Sequence, residues 1–273
     1  MEASPIHKRE GFHGLRETVQ THLQKPMIQY PDMSPLPLFV LPMVLMPGEI
    51  QELRVFEPRY RQMLDDCLLD DRNFGLVLND PFTLTNHWDA PQTHGCEAEI
   101  LHHETKGSNH FLKIVGRRRF TVQEIIEPAL PPFDHPMMDP LTNAEGVDPD
   151  LQSMLEFIPD DIEHSKLYIS AEVKYIEPLA ETTNDQQEQL KKMANHVMVH
   201  IASLLSIEDD SIQEWVQQAP VMELIDDDGD TVFAVTALLV SDLDTKQEIL
   251  RSDGIDEAIN HLNNHLNAFL EEE

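Results

Sequence analysis

The histidines are the residues of this sequence whose spacing comes closest to that of a metal site. The chain has 14 of them, and two pairs are four residues apart, His196 with His200 and His261 with His265. On a helix, this spacing can place two ligands on one zinc ion. Neither pair encloses the glutamate of a zinc peptidase, and no Cys-x-x-Cys occurs. We therefore expect no metal site and interpret these histidines as polar-face or boundary residues.

Two further polar clusters also lack the arrangement of a binding site. His102 and His103 are adjacent in a predicted strand, so their side chains point to opposite faces and cannot easily bind one ion. Lys113 lies close to three consecutive arginines at 117–119. In a chain with a net charge of −31, this basic cluster is interpreted as an internal salt-bridge patch rather than a nucleic-acid site.

The residue patterns of catalysis are missing as well. A phosphate-binding loop ends in Gly-Lys-Ser/Thr, and the sequence contains no Gly-Lys pair. The acidic residues 226–228 precede a predicted helix, where carboxylates stabilise the helix dipole. Cys67 and Cys96 lie in apolar segments, which favours reduced core thiols over a disulfide. We expect a chain that is not an enzyme and needs no cofactor.

Composition and charge restrict the partners and the compartment. The chain has 273 residues, is 41% hydrophobic and carries 50 acidic against 19 basic residues. This acidity opposes binding to nucleic acid and to anionic membranes. It is equally compatible with keeping exposed apolar surface soluble and with a salty habitat. No apolar run approaches the roughly 20 residues of a membrane span, and no signal peptide is evident. We predict a cytoplasmic protein.

The elements that must position any site begin in residues 35–69. Four prolines interrupt an apolar run, which favours short strands at a sheet edge or a barrel seam. Pro47-Gly48 predicts a tight turn, and Pro58 suits the first turn of a helix. The helical face that follows consists of Tyr60, Met63, Leu64, Cys67 and Leu68.

Further strands are predicted at 74–78, 96–102, 111–126 and 167–176. Residues 79–93 are predicted to be a polar connection. Residues 128–166 are rich in proline and acid and interrupt the strand pattern, so we interpret them as an insertion with one helical turn at 151–157.

From residue 181 the apolar period changes to that of helices. Thr183 to Gln186 forms a predicted capping box, followed by a long amphipathic helix. Residues 231–240 are apolar nearly all round and predict a buried helix, and Trp215 is placed inside the same bundle. The predicted organisation is an N-terminal extension (1–34), a β-rich part (35–178) and a helical part (179–273). The extension contains either a short docked helix or a loosely held segment.

Four patches of sequence resemble the N-terminal substrate-binding domain of Lon (La) ATP-dependent proteases. They are LPLF with LP, PG and FEPRY between 36 and 60, GCEAEI at 95–100, IVGRRRF at 114–120 and KQEIL at 246–250. They occur in the order of the family and extend the resemblance over residues 35–270. The family crosses 128–166 in a short loop, so the insertion is a departure from it.

The resemblance implies an α+β fold, with a small PUA-like β barrel wrapped around one helix and followed by a C-terminal helical bundle. It also implies non-catalytic recognition of polypeptides, with unfolded or damaged proteins as clients. Active Lon enzymes add an ATPase domain and a serine-lysine protease domain, and this chain is expected to lack both. An adaptor for one defined protein partner and an accessory subunit of a separately encoded protease are the alternatives.

Candidate peptide-binding residues are Phe82, Trp88, Met43 and Met46. Phe82 and Trp88 lie in a polar stretch with no helical or strand period. An aromatic residue there either marks a recognition surface or anchors the loop on the sheet, and both alternatives remain open. Methionines suit promiscuous binding surfaces, although most of the run 41–46 is expected to fill the core.

Overall fold

The computed structural model describes residues 35–107, 109–141 and 149–271. These residues form an α+β fold, as predicted. The helix predicted in the N-terminal extension falls in residues 1–34, which lie outside the described residues.

Six strands in the described residues form one sheet that closes on itself. They are β1 (Leu36–Leu41), β2 (Ile50–Val55), β3 (Phe74–Thr85), β4 (Trp88–Lys106), β5 (Asn109–Ile126) and β6 (Ser170–Tyr175). Their order is β2-β5-β4-β3-β1-β6, and β6 also pairs with β5. Strands β1, β3, β4, β5 and β6 therefore form a closed ring, while β2 pairs with the first half of β5. Only β1 and β3 are parallel.

The prolines of the first stretch lie where the ring tolerates them. Pro35, Pro42 and Pro47 fall outside the strands, and Pro37 pairs with Ser170 at the junction of β1 and β6. Because β1 has a neighbour on each side, it is not an edge strand. Of the two positions predicted for the proline-rich strands, the sheet edge is therefore wrong for β1, and the barrel seam stays a prediction.

Helix α1 (Pro58–Leu69) packs against the ring through its apolar face. Pro58 lies in the first turn, as predicted, and Tyr60, Met63, Leu64 and Cys67 are buried. The hydroxyl of Tyr60 donates to the carbonyl of Val40 at 2.7 Å. The ring of Tyr60 also lies 4.2 Å from that of Phe39. These contacts fix the start of α1 against β1.

Within segment 128–166, the described residues 128–141 and 149–166 form a small structure of their own. They contain a 3-10 helix (Pro136–Met138) and helix α2 (Leu151–Glu156), which confirms the predicted helical turn. Leu130, Met138 and Met154 form a separate hydrophobic cluster with Leu167. The backbone N–H of Ala129 donates to the carbonyl of Lys166 at 2.7 Å, so the two ends of the segment are adjacent.

The helical part begins with α3 (Asn184–Leu204), and the predicted capping box of Thr183 and Gln186 is confirmed. The helices that follow are α4 (Asp209–Gln217), α5 (Pro220–Glu223), α6 (Thr231–Leu239), α7 (Leu243–Arg251) and α8 (Ile255–Glu271). Most of α6 is buried, as predicted. Trp215 is only partly buried, and the buried residue beside it is Val216, so the expectation for Trp215 is wrong. One hydrophobic cluster includes side chains of the ring and of these helices.

Arg119 of β5 joins the ring to the helices. Its side chain is 3% exposed and donates to the carbonyls of Leu250 and Ser252, at 2.9 and 2.7 Å, at the end of α7. A third hydrogen bond reaches the carbonyl of Glu177 at 3.3 Å. Burial lowers the pKa of the guanidinium from its usual value.

Candidate functional site

Residues 79–93 form the outer part of the β3–β4 hairpin, so the predicted polar connection is wrong. The hairpin turns at Asn86 and His87, whose φ angles of 44° and 68° are those of a tight two-residue turn. Asp80 pairs with Ala90, but the next pair is Leu84 with Asp89. Three residues of β3 therefore bulge out of the ladder. The bulge interrupts the alternation of polar and apolar residues by which a strand is recognised.

The bulge presents Phe82 to solvent. The side chain of Phe82 is 96% exposed. Asp80 holds the bulge, because its Oδ1 accepts from the backbone N–H of Phe82 at 3.0 Å and its Oδ2 accepts from the hydroxyl of Thr83 at 2.9 Å. Leu84 beside it is also exposed. An aromatic ring thus stands on a backbone that is hydrogen-bonded in place.

Trp88, at the start of β4, is partly buried and anchored. Its indole N–H donates to the carbonyl of Leu130 at 3.0 Å. The guanidinium carbon of Arg59 lies 3.6 Å from the centre of its ring, which is a cation–π contact. Of the two alternatives left open by the sequence, these contacts support the loop anchor. Nothing in the sequence indicated that Arg59 would meet Trp88.

The tip of this hairpin also holds segment 128–166. The side-chain amide of Asn86 donates to the carbonyl of Pro128 at 2.7 Å, and the rings of His87 and His135 lie 4.2 Å apart. The cleft beside Trp88 has room for about one water molecule. The described residues of segment 128–166 therefore contact the tip of the hairpin at Asn86, His87 and Trp88.

The two candidate methionines differ in their surroundings. Met46 is fully buried at 0% exposure and belongs to the core, so its side chain offers no binding surface. Met43 is partly buried and packs against the edge of that core. Leu41 of β1 pairs in parallel with Leu78 of β3. The segment with Met43 and the bulge therefore follow the same end of these two strands.

Two of the four residues of the predicted basic cluster, Arg117 and Arg118, form internal salt bridges. Arg117 pairs with Glu99 at 2.6 Å, and Arg118 forms two hydrogen bonds with Glu97 at 2.8 and 3.0 Å. The hydrogen bond to Glu97 raises the pKa of Arg118. Arg119 is buried at the helices, as described above. These arginines stabilise the fold instead of forming a cationic surface.

No reactive constellation is found within residues 35–107, 109–141 and 149–271. In these ranges no group of three or more His, Cys, Asp or Glu is placed to hold a metal ion. The thiols of Cys67 and Cys96 are free and buried, and burial raises the pKa of Cys67 to about 12. A thiol with such a pKa is a poor nucleophile at neutral pH. No helix in the described part of the chain is long and apolar enough to cross a membrane.

Comparisons with known proteins identify the fold. The model of the ATP-dependent protease La (LON) substrate-binding domain family matches residues 35–268. The solved Lon N-terminal domain protein from Xanthomonas campestris is 20% identical, with a TM-score of 0.52 over 84% of this chain and 96% of that chain. The N-terminal domain of the Mycobacterium avium complex Lon protease is 12% identical, with a TM-score of 0.52 over 86% and 98%. No curated protein matches.

Proposed function

We propose that this chain, which belongs to the Lon substrate-binding domain family, binds unfolded or damaged polypeptides through the β3–β4 hairpin. The family domain is a recognition domain without catalytic activity. We extend this to the whole chain and expect that it hydrolyses neither ATP nor polypeptides.

The observation that carries the proposal is the exposure of Phe82 on an ordered bulge. A ring that is 96% exposed contributes little to the stability of the fold. A rigid, exposed aromatic side chain is, however, a typical anchor for a binding partner. The hydrogen bonds from the bulge to Asp80 reduce the entropy that would be lost on binding. Leu84, two residues further along β3, is also exposed.

Charge specifies the kind of client. Asp80 and Asp89 flank the bulge, and the chain carries a net charge of −31. Apolar segments with Lys or Arg on either side should therefore be preferred over acidic ones. Binding of such segments should weaken as salt is added, because exposed charges are screened.

The test is the affinity of the purified chain for a reduced and alkylated, permanently unfolded polypeptide, measured by fluorescence anisotropy. Replacing Phe82 by Ser should weaken binding at least about tenfold, which corresponds to about 1.4 kcal/mol. The melting temperature should not change, because the side chain is exposed. The matched control is Phe56→Ser, another exposed aromatic residue at 60% exposure, which should bind as the parent does.

Equal affinities for the parent and Phe82→Ser would contradict the proposed surface. A pull-down in which one protein binds stoichiometrically, while unfolded polypeptides do not bind, would instead favour an adaptor or an accessory protease subunit.

A further inference from the structure

We propose that two copies of this chain associate through strand β2, which pairs antiparallel with the β2 strand of the second copy. In the single chain, β2 (Ile50–Val55) pairs with β5 on one side. On its other side, no strand within residues 35–107, 109–141 and 149–271 pairs with it. An unpaired strand edge is a ready template for a strand of another chain.

The turn before β2 determines which backbone groups lie at this free edge. The N–H of Gly116 donates to the carbonyl of Glu49 at 2.9 Å, so the backbone of Glu49 faces β5. In an antiparallel ladder, every second residue faces the same neighbour. The N–H and C=O groups of Ile50, Glu52 and Arg54 therefore face away from β5. Among the described residues, these groups have no hydrogen-bond partner.

The charges along this edge are complementary to those of the same strand running in the opposite direction. Glu52 and Arg54 are exposed, and they share one face of the sheet because they are two residues apart. In a two-fold pair centred on Leu53, Glu52 of each copy lies directly opposite Arg54 of the other. Pairs centred on Glu52 or on Arg54 place like charges opposite each other, which is unfavourable. Charge therefore selects the register centred on Leu53.

The same register satisfies the backbone of the edge. Glu52 and Arg54 both present their N–H and C=O groups there, so each of the two opposed pairs exchanges two hydrogen bonds. Leu53, which is half-buried, meets its own copy on the other face of the sheet. Nε of Arg54 donates to Oδ1 of Asn109 at 3.0 Å. This bond orients the guanidinium while its terminal nitrogens can reach the carboxylate of the second copy.

The dimer is expected to be weak. The net charge of −31 makes two copies repel each other. At physiological ionic strength, this repulsion is screened beyond about 8 Å, whereas the opposed charges of the strand pair are in contact. A strand of six residues also gives a small interface, which is typical of weak association. The chain should therefore be monomeric in dilute solution and dimeric at high protein concentration.

Sedimentation velocity of the full chain at physiological salt, over a range of protein concentrations, measures this association. The sedimentation coefficient should rise with concentration towards that of a dimer. Glu52→Arg and Arg54→Glu each place like charges opposite each other across the strand pair. Each variant alone should raise the dissociation constant at least about tenfold. Both side chains are exposed, so the variants should remain folded, which circular dichroism checks.

An equimolar mixture of the two variants is the decisive sample. In the mixed dimer, the arginine introduced at position 52 lies opposite the glutamate introduced at position 54, and the native Arg54 lies opposite the native Glu52. The mixture should therefore dimerise as the parent does. The matched control is Glu124→Arg, which changes the net charge as Glu52→Arg does but lies at an exposed position of β5. It should not weaken the dimer.

Three results would overturn the proposal. The first is a parent chain that stays monomeric at every concentration. The second is a dimer that neither Glu52→Arg nor Arg54→Glu weakens, because association would then use another surface. The third is a mixture of the two variants that dimerises no better than either variant alone.

Discussion

The ring of strands holds two neighbouring structures, and it holds them in different ways. The helices are attached through Arg119, which is almost fully buried and donates to three backbone carbonyls. Segment 128–166 is attached through separate, smaller contacts. Trp88, which is partly buried, donates to Leu130, and Asn86 donates to Pro128. At the other end of the segment, Gln62 donates to Ser165 and Lys166 pairs with Asp66. The apolar packing against the ring is likewise more extensive for the helices than for the segment. The helices share one hydrophobic cluster with the ring, whereas the segment has a small cluster of its own.

This difference predicts two levels of stability. The helices cannot leave the ring without opening the common core, so the two should unfold together. Segment 128–166 can detach and leave that core intact, which is local unfolding at a lower free energy. The weaker attachment is at the hairpin that presents Phe82. The proposed recognition surface therefore lies beside the part of the molecule that opens most easily.

The largest effect is expected at the strong attachment. Arg119→Met keeps the apolar stem of the side chain but removes its donors and leaves buried carbonyls of Leu250 and Ser252 without them. Hydrogen bonds from a charged group contribute about 1.5–3 kcal/mol each, so we expect the two lost bonds to lower the free energy of unfolding by at least about 3 kcal/mol. Urea denaturation measures it. Arg54→Met, which removes one exposed hydrogen bond to Asn109, is the control. Equal losses in both variants would show that apolar packing alone holds the helices.

A smaller effect is expected at the weak attachment. Complete burial of a Trp makes its truncation cost about 3–5 kcal/mol, and Trp88 is only partly buried, so Trp88→Ala should cost about 2 kcal/mol. The loss should be local, so that proteolysis within 128–166 becomes faster before the core unfolds. Trp88→Phe retains an aromatic ring for Arg59, so its rate of proteolysis within 128–166 should lie between those of Trp88→Ala and the parent. Unchanged proteolysis in Trp88→Ala would mean that Trp88 does not hold the segment.

Replacing residues 128–166 by a short Gly-Ser loop should lower the free energy of unfolding by about 1 kcal/mol. This is less than the loss of about 2 kcal/mol expected for Trp88→Ala. The ends of the segment are already joined by the hydrogen bond from Ala129 to Lys166. Loop-closure entropy changes by only about 0.6 kcal/mol per doubling of length. Circular dichroism and calorimetry should show a single cooperative transition. Insoluble protein, or loss of that transition, would show that the segment belongs to the core.

Local patterns in the sequence were sufficient to predict most helices and most strands. Pro58, the apolar face from Tyr60 to Cys67 and the capping box at Thr183 each act within one or two turns of helix. The structure formed at these positions therefore depends little on distant residues. The salt bridges of Arg117 and Arg118 were also predictable, because an acidic chain supplies partners nearby.

Features that depend on pairing between distant residues were not predictable from the sequence. The bulge at Phe82 hides the strand pattern of residues 79–85. Trp88 finds its partners at Arg59 and Leu130, which are 29 and 42 residues away. The burial of Met46, by contrast, agrees with the expectation that most of the run 41–46 fills the core. Of the candidate residues, Phe82 is exposed and Trp88 contacts Arg59 and Leu130, and their role in binding stays a prediction.

The smallest effect is a dependence of stability on pH. It is expected from Asp230, which precedes α6 and interacts with Arg119. Burial and the nearby Asp228 raise the pKa of its carboxyl from 3.8 to about 6, although Arg119 acts in the opposite direction. The folded chain therefore holds this proton more tightly than the unfolded chain does. Ionisation of Asp230 costs stability, so its contribution to the free energy of unfolding should fall as pH rises from about 4 to about 6. Asp230→Asn should remove this cost.

Because the amide of the Asn would itself be buried, we expect Asp230→Asn to be more stable by about 1 kcal/mol above pH 6. Below pH 4 the variant should be the less stable of the two by about 2 kcal/mol, since Asp230 is then protonated in both states and only the cost of burying the amide remains. Urea denaturation at several pH values measures the difference. Asp134→Asn, an exposed residue of segment 128–166, changes the net charge equally and should show no such dependence. A parallel gain in both variants would attribute the effect to net charge. A gain in Asp230→Asn alone would place the pH dependence at the attachment that Arg119 holds.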